Sequence, residues 1–334
     1  MKETKLKFGV IGSGSWGTAL IKMLSENKDV INWYVRNKKN IEFIKNNSYN
    51  PNYLSSVKLN LKKINISSEI DKIIEKSDVI IVAIPSEFVN GEMEKIKVDI
   101  SDKIIICALK GLVPETNLLF GEHMQKQFNV SKDNFLVIGG PCHAEEVALE
   151  KLSYLTIGSS NLNLCKLISE KFKCNYINVK ASDDVIGIEY ASMLKNIFAL
   201  AVGISNGLGY GDNYQSVLVS NSIKEMKRFI SKRHKIKRNI NNSAYLGDLL
   251  VTGYSSFSRN RMFGNMIGKG YSIKAAQEKM KMVAEGYIAT KKAFLLNQDS
   301  NRKTKIPIIN AVYKILYEKR SPKDVFKKLS NKIY

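Results

Sequence analysis

Residues 7–27, KFGVIGSGSWGTALIKMLSEN, give the clearest indication of the fold of the first part of the chain. It combines a short apolar run, a GxGxxG turn formed by Gly12, Gly14 and Gly17, and a segment with helical spacing. Glycines at this spacing permit a tight turn and close backbone approach, and the helix N-terminus that follows offers N–H groups to a pyrophosphate. The stretch therefore predicts a dinucleotide-binding βα unit, with a plain strand-to-helix turn as the alternative.

The pattern of this unit continues through the first half of the chain and then changes. Apolar runs alternate with helical stretches up to about residue 185, which is typical of an α/β fold with a doubly wound parallel sheet. Strand patterns then fade, so we predict a Rossmann-type domain over residues 1–184 and an all-α substrate and catalytic domain over residues 185–334. The predicted strands are 7–12, 30–35, 78–85, 103–109, 135–140 and 154–158, with 175–179 as a further candidate, and the predicted helices of the second domain are 185–206, 213–230, 242–251, 259–268, 272–280, 283–296, 307–318 and 322–331.

Composition is that of an ordinary soluble protein. The chain has 334 residues, of which 44% are hydrophobic and 25% charged, and this length favours two domains. No apolar run approaches the ~18 residues that cross a bilayer, and the N-terminus lacks the features of a signal peptide. The four cysteines show neither CxxC pairing nor metal-ligand spacing. We therefore expect reduced thiols, no metal site, no transmembrane segment and a cytoplasmic location.

The formal net charge of +21 includes one dense basic cluster at residues 224–238. A basic surface attracts nucleic acid, anionic lipid or anionic substrates. No zinc-finger spacing, heptad basic region or RNP-type aromatic motif accompanies the cluster. We therefore interpret it as a solvated basic face and expect no nucleic-acid partner.

The residue at the end of the second predicted strand bears on the choice of cofactor. A Rossmann domain that binds NAD(H) has an Asp or Glu there, about 20 residues after the glycine turn, which binds the ribose 2′-hydroxyl. This chain has Arg36, which lies 22 residues after Gly14 and is followed by Asn37 and Lys38. A guanidinium attracts a 2′-phosphate, so NADP(H) is favoured and NAD(H) is left open. The alternative is a surface arginine in a basic protein.

The segment 187–208 contains a candidate catalytic side chain. It is apolar on nearly all sides, as expected of a buried helix, yet it carries Glu189, Ser192, Lys195 and Asn196 along one face. Lysine is rarely buried unless it is paired or functional. An ammonium here can protonate a carbonyl oxygen as hydride arrives, whereas a lysine at the helix edge would extend to solvent. The segment alone leaves both interpretations open.

Three further polar clusters lie where ligands are expected. Two of them directly follow predicted strands, at the edge where open α/β sheets bind ligands. In the third, Arg259 offers a planar fork of donors that suits a phosphate, although the stretch also fits a polar turn with a helix cap. The clusters are Lys110-Gly111, then Gly140-Pro141-Cys142-His143-Ala144, and then Asp248, Thr252, Ser258, Arg259 and Asn260 within residues 247–264.

Six motifs occur in the order GSGSWGTAL, ALKGL, GGPCHAEE, ASMLKNIFALAVGISNGLGYGDN, GDLLVTGYSSFSRNRMFG and VAEGY. Together they resemble the bacterial NAD(P)-dependent glycerol-3-phosphate dehydrogenase family, and the resemblance runs from about residue 7 to residue 320. It implies reversible reduction of dihydroxyacetone phosphate to sn-glycerol 3-phosphate, which supplies the glycerophosphate backbone of phospholipids. It also implies a homodimer.

The resemblance further implies roles for individual residues. Lys195 would be the proton donor and acceptor, and Lys110 a second catalytic residue shared by cofactor and substrate. Cys142 stands where the family usually has Ser or Thr, so its substrate contact is left open. The implied cofactor contacts are Gly12, Gly14, Ser15, Trp16, Gly17, Arg36, Lys110, Ala144, Arg259, Val283 and Glu285. The implied substrate contacts are Lys110, Gly140, Cys142, Lys195, Asp248, Ser258, Arg259 and Asn260.

Two other functions fit parts of the sequence. Another two-domain Rossmann hydroxyacid dehydrogenase with a lysine acid would act on a carboxylate substrate. A non-enzymatic cofactor-sensing or nucleic-acid-binding protein would use the basic cluster at 224–238, but it would not need the catalytic blocks. Histidine-based mechanisms fit poorly, because His143 alone of the three histidines lies near a predicted site.

Overall fold

The computed structural model describes residues 6–27, 30–280, 284–300 and 303–334. The chain divides into two units. The first consists of Met1–Leu109 and Val113–Val185, and the second of Lys110–Leu112 and Ile186–Tyr334. The tripeptide Lys110–Leu112 thus belongs to the second unit, although a strand of the first unit precedes it.

One mixed β-sheet forms the framework of the first unit. Its strands are β1 (Phe8–Ile11), β2 (Ile31–Tyr34), β3 (Ile64–Ser67), β4 (Val79–Val82), β5 (Ile104–Cys107), β6 (Phe135–Gly139), β7 (Ser153–Ser159) and β8 (Ile177–Ser182). The strand order is β3-β2-β1-β4-β5-β6-β7-β8, and its first six strands have the order typical of dinucleotide-binding domains. The helices of this unit are α1 (Ser15–Leu24), α2 (Lys38–Asn47), α3 (Ile70–Glu75), α4 (Val89–Met93), α5 (Phe120–Phe128), α6 (Ala144–Ala148) and α7 (Leu162–Phe172).

The sheet confirms the predicted α/β class and corrects two details. The sequence does not predict β3, which lies at the sheet edge and buries only Ile64 fully. The sequence also predicts a parallel sheet, but β7 is antiparallel to β6 and parallel to β8, so the last two strands run against the first six. The further candidate at 175–179 corresponds to β8.

The described residues of the second unit form helices and connecting turns, and none of them belongs to a strand of the sheet. Its helices are α8 (Val185–Gly207), α9 (Asp212–Arg233), α10 (Asp248–Tyr254), α11 (Arg259–Gly268), α12 (Ile273–Met280), α13 (Glu285–Gln298), α14 (Pro307–Leu316) and α15 (Pro322–Ser330). The single helix predicted at 242–251 is instead a π-helical turn, Ser243–Gly247, followed by α10.

Helix α8 is the buried core helix that the sequence predicts. Its length and apolar composition would also suit a membrane span, but 89% of its most apolar 18-residue stretch is buried within the protein. Composition therefore does not distinguish this helix from a membrane span, whereas its burial identifies it as the core of a globular unit.

Glycines let α8 and α11 approach backbone to backbone. A Cβ at Gly203 of α8 would lie 2.1 Å from the carbonyl oxygen of Arg261. A Cβ at Gly264 of α11 would lie 2.1 Å from the carbonyl oxygen of Leu200. Any side chain at these positions would force the helices apart, because packed interiors leave no spare volume. This contact holds the beginning of α11 close to the polar face of α8.

Candidate active site

The glycine turn of the first unit has the shape of a nucleotide-phosphate site. Gly12 has a φ of +122°, and a Cβ there would lie 2.3 Å from the carbonyl oxygen of Ala83. A Cβ at Gly17 would lie 2.2 Å from the carbonyl oxygen of Gly12, which fixes α1 tightly against the turn. A Cβ at Gly14, by contrast, would meet no described atom within 4 Å. Gly14 is the N-cap of α1, so the turn leaves room for a pyrophosphate beside the N–H groups of a helix.

The other predicted cofactor residues near this turn lie at the same edge of the sheet. Ser15 and Trp16 begin α1; Ser15 is buried, and Trp16 is partly buried against the hydrophobic core. Arg36 lies two residues after the end of β2. Its side chain is exposed, and its Nη1 lies 3.1 Å from Oε1 of Glu92. The structure thus places Arg36 where the sequence predicts it and adds a carboxylate partner that the sequence does not indicate.

Gly140, Cys142 and Ala144 follow β6, beyond the edge where open α/β sheets bind ligands. Gly140 has a φ of +110°, and a Cβ there would lie 2.6 Å from the carbonyl oxygen of Tyr154, so the position requires glycine. Ala144 is the buried first residue of α6, and Cys142 is a partly buried thiol without a disulfide. These residues belong to the first unit.

A buried ion pair lies at the centre of the second unit's predicted site. Lys195 of α8 and Asp248 at the start of α10 have side chains that are 9% and 2% exposed, and Nζ lies 2.5 Å from Oδ1. The Thr252 hydroxyl donates to the carbonyl oxygen of Asp248 at 2.6 Å, which ties the carboxylate-bearing residue to its own helix. The Lys195 side chain therefore does not extend to solvent, and its role as a proton donor stays a prediction.

A second lysine shares the electrostatic environment of this pair. Burial, followed by the positive charge of Lys195, lowers the pKa of Lys110. The carboxylates of Glu285 and Asp248 act in the opposite direction, and the guanidinium of Arg259 adds to the lowering. Four predicted site residues therefore lie within electrostatic range of Lys110, which makes a group of five. Three of them are cationic and two anionic, a balance that favours an anionic substrate.

Asn196 connects the segments that carry these side chains. Its Nδ2 donates to the carbonyl oxygens of Lys110 at 3.4 Å and Ser192 at 3.2 Å. Its Oδ1 accepts a hydrogen bond from Asn260 Nδ2 at 2.9 Å, and Asn260 Oδ1 accepts one from the Gly286 N–H at 2.8 Å. Two amide side chains thus fix α8, α11, the start of α13 and the tripeptide after β5. The sequence does not assign Asn196 a contact, although its place on the polar face of α8 is a usable signal.

Helix α11 begins at Arg259 with Ser258 as its N-cap, as the sequence predicts. The Ser258 hydroxyl accepts a hydrogen bond from the N–H of Arg261 at 3.3 Å. The first N–H groups of an α-helix have no acceptor within the helix, and the positive end of the helix dipole favours an anion. The beginning of α11 is therefore suited to a phosphate.

The predicted residues thus fall into two groups, one in each unit. Glu285 is the first residue of α13, whereas Val283 lies outside the described residues. In the part of the chain that the structure describes, no group of three or more His, Cys, Asp or Glu side chains is arranged to hold a metal ion.

The chain is similar over nearly its whole length to proteins of one family. Two family models match the chain: NAD-dependent glycerol-3-phosphate dehydrogenase N-terminus over residues 7–165, and the C-terminus of the same family over residues 184–327. The chain is 33% identical to a glycerol-3-phosphate dehydrogenase (NAD(P)+) of Bacillus pumilus, over 98% of this chain and 94% of that protein. It is 34% identical to one from Macrococcus caseolyticus, over 98% of each. The crystal structure of glycerol-3-phosphate dehydrogenase from Coxiella burnetii has a TM-score of 0.89 and 27% identity, over 97% of this chain and 98% of that one.

Proposed function

The chain belongs to the NAD-dependent glycerol-3-phosphate dehydrogenase family, and we propose that it interconverts dihydroxyacetone phosphate and sn-glycerol 3-phosphate. It is an NAD(P)-dependent oxidoreductase. The observation that carries the proposal is the buried pair of Lys195 and Asp248 with Lys110 and Arg259 in electrostatic range. When bound, the reduced nicotinamide supplies the hydride that the carbonyl carbon of the substrate accepts.

Lys195 is the proposed proton donor. Its ammonium gives a proton to the carbonyl oxygen as the hydride arrives, and the amine takes the proton back in the reverse reaction. Asp248 holds Nζ at 2.5 Å and so fixes the direction from which the proton is delivered. The positive charge of Lys110 stabilises the alkoxide that develops on the same oxygen.

The beginning of α11 is the proposed phosphate site. Arg259 can bind two phosphate oxygens with its planar guanidinium, and the helix N–H groups add donors. Asn260 is held by Asn196 and Gly286, which keeps this helix end fixed against α8. The remaining implied contacts stay predictions: Gly140, Cys142 and Ser258 with substrate, and Ala144, Val283 and Glu285 with cofactor.

NADP(H) is the favoured cofactor in this proposal, because Arg36 stands where an NAD(H)-specific domain has an acid. NAD(H) is the second cofactor. We further propose a homodimer in the cytoplasm that supplies the glycerophosphate backbone for phospholipid synthesis.

The test compares a phosphorylated and an unphosphorylated substrate. Arg259→Ala should lower kcat/KM for dihydroxyacetone phosphate by an amount equivalent to roughly 2–5 kcal/mol, because other buried groups lose their charged partner. Arg259→Lys should raise KM substantially although the charge is kept, since an ammonium lacks the forked geometry. Wild type should reduce unphosphorylated dihydroxyacetone poorly, and Arg259→Ala should affect that reaction much less.

Arg261→Ala is the matched control. Arg261 lies two residues further along α11, about 200° around the helix, and so on its other side. Its replacement should leave the ratio of the two substrates unchanged. Equal losses for both substrates in Arg259→Ala would contradict the phosphate assignment. Efficient reduction of a 2-oxo acid by wild type would favour a carboxylate-specific hydroxyacid dehydrogenase instead.

A further inference from the structure

A buried carboxylate reaches the end of β2 from a separate element of the first unit. Glu92 belongs to α4, and its side chain is 7% exposed. Its Oε1 accepts hydrogen bonds from Arg36 Nη1 at 3.1 Å and Lys95 Nζ at 2.8 Å, and its Oε2 accepts one from the Tyr34 hydroxyl at 3.0 Å. Burial and this last hydrogen bond raise the pKa of Tyr34 to about 12, so the phenol stays a donor to Glu92 near neutral pH.

Strand pairing places this group beside the glycine turn. Tyr34, the last residue of β2, is aligned with Ile11, the last residue of β1, and Gly12 follows directly. In this fold the end of β2 is where the adenosine ribose of a dinucleotide is recognised. Arg36 and Glu92 therefore both lie at the ribose end of the predicted cofactor site.

The two side chains favour different cofactors. A carboxylate at this place binds the 2′-hydroxyl of NAD(H) and repels a 2′-phosphate, whereas a guanidinium attracts the 2′-phosphate of NADP(H). Arg36 follows β2 itself, and Glu92 supplies from α4 the carboxylate that β2 lacks. Arg36 and Lys95 contribute two positive charges against the single negative charge of Glu92, so the group retains a net charge of +1.

We propose that Glu92 is a specificity-determining positioning residue, which holds Arg36 in place and moderates its attraction for a 2′-phosphate. The inference rests on the proposed NAD(P)-dependent function. With Glu92 present, one N–H of the guanidinium is engaged and its charge is partly neutralised, so NAD(H) remains usable beside NADP(H). Without that negative charge, both cations act on a 2′-phosphate unopposed, and the preference for NADP(H) increases.

The test measures nucleotide binding in the absence of any reaction. Glu92→Gln keeps the shape and the acceptor oxygen but removes the charge. By calorimetry, its affinity for adenosine 2′,5′-bisphosphate should rise about threefold to tenfold, the scale of one charge several ångströms away at a protein surface. Its affinity for adenosine 5′-phosphate, which has no 2′-phosphate, should change by less than about twofold, because this ligand carries no charge at the ribose 2′ position.

Three further variants separate specificity from structure. Lys95→Met should lower the affinity for the bisphosphate, because it removes one of the two positive charges that balance Glu92 and attract the 2′-phosphate. In an Arg36→Ala background, Glu92→Gln should raise the affinity for the bisphosphate less than it does in wild type, since the part of its effect that passes through Arg36 is lost. Glu94→Gln, which changes an exposed neighbour at the C-cap of α4, should leave both affinities unchanged.

If folded Glu92→Gln has the wild-type ratio of affinities for the bisphosphate and for adenosine 5′-phosphate, the proposal is overturned. It is also overturned if Glu92→Gln raises the affinity for the bisphosphate as much in the Arg36→Ala background as in wild type. If Glu92→Gln does not fold, an unchanged ratio in Lys95→Met would overturn it as well. Failure of wild type to bind either nucleotide would contradict the dinucleotide function itself. The substrate assignment is tested independently by Arg259, so the two failures are distinguishable.

Discussion

Replacing Lys195 with methionine should affect both the stability and the turnover of the enzyme. The Lys195 ammonium lies 2.5 Å from Asp248, and the two side chains are 9% and 2% exposed. Methionine is similar in length but leaves the carboxylate buried without its cation. Removal of one partner of a buried ion pair costs roughly 3–5 kcal/mol, so we expect the free energy of unfolding to fall by about that amount. Loss of the proposed proton donor should lower kcat by roughly 10²-fold or more while the affinity for NADPH stays largely intact.

The two effects can be separated by measuring urea unfolding and steady-state kinetics on a pair of variants. Lys195→Met with Asp248→Asn removes both charges, so much of the stability should return while kcat stays low. Lys173→Met is the control, because Lys173 pairs with Glu170 at 2.5 Å but both side chains are largely exposed. Exposed pairs contribute about 0–1 kcal/mol, so this variant should differ little from wild type.

Near-normal kcat in a folded Lys195→Met enzyme would remove Lys195 from the mechanism. The next candidate would then be Lys110, whose pKa is lowered by burial and by the charge of Lys195. If the double variant is no more stable than Lys195→Met alone, the buried charge of Asp248 is not the source of the instability.

Two further predictions concern stability. Gly264→Ala should destabilise the protein by about 1–3 kcal/mol in urea unfolding, because its Cβ would lie 2.1 Å from the carbonyl oxygen of Leu200. Gly253→Ala, whose nearest neighbour would be Val202 at 3.8 Å, should be neutral or stabilise α10 by about 0.5–1 kcal/mol, and equal losses in the two variants would contradict the packing argument. Burial raises the pKa of Glu225 from 4.5 to about 8, so the folded state holds this proton more tightly than the unfolded chain. The stabilisation that this proton provides should be present below about pH 4.5 and lost as the pH rises through about 8. The unfolding free energy of wild type minus that of Glu225→Gln should therefore fall between these two pH values. A difference that stays constant with pH would refute the prediction.

The sequence predicts the fold well where a strand is buried on both faces. Strands such as β1 and β4 are fully buried and appear as continuous apolar runs. Strand β3 is different, because INIS buries only Ile64 fully and becomes a strand by pairing with β2 along one edge. The reversal of β7 is also absent from the pattern, since apolar periodicity carries no information on strand direction.

Some features of the candidate site depend on neighbouring residues and can be predicted from the sequence, whereas others depend on residues far apart in the chain. The glycine turn and the Ser258 cap depend on neighbouring residues, so their sequence is sufficient to place them. The partner of Lys195 lies 53 residues away, and the partner of Arg36 lies 56 residues away. Such pairings arise from the packing of separate helices and strands, which the spacing of residues along the chain does not specify.

The tripeptide Lys110–Leu112 leaves the ribosome well before the helices of the unit to which it belongs. It is translated 74 positions before Ile186, yet its carbonyl oxygens accept hydrogen bonds from Asn196 and Lys292. N-terminal domains generally fold first during synthesis, so the sheet can form before the residues that donate hydrogen bonds to these carbonyl groups have been synthesised. A gene fragment that starts at Ile186 would encode every helix of the second unit from α9 onward and still lack Lys110. The residues proposed for proton transfer therefore cannot be moved to another protein as one contiguous segment, because Lys110 is encoded among the strands of the first unit.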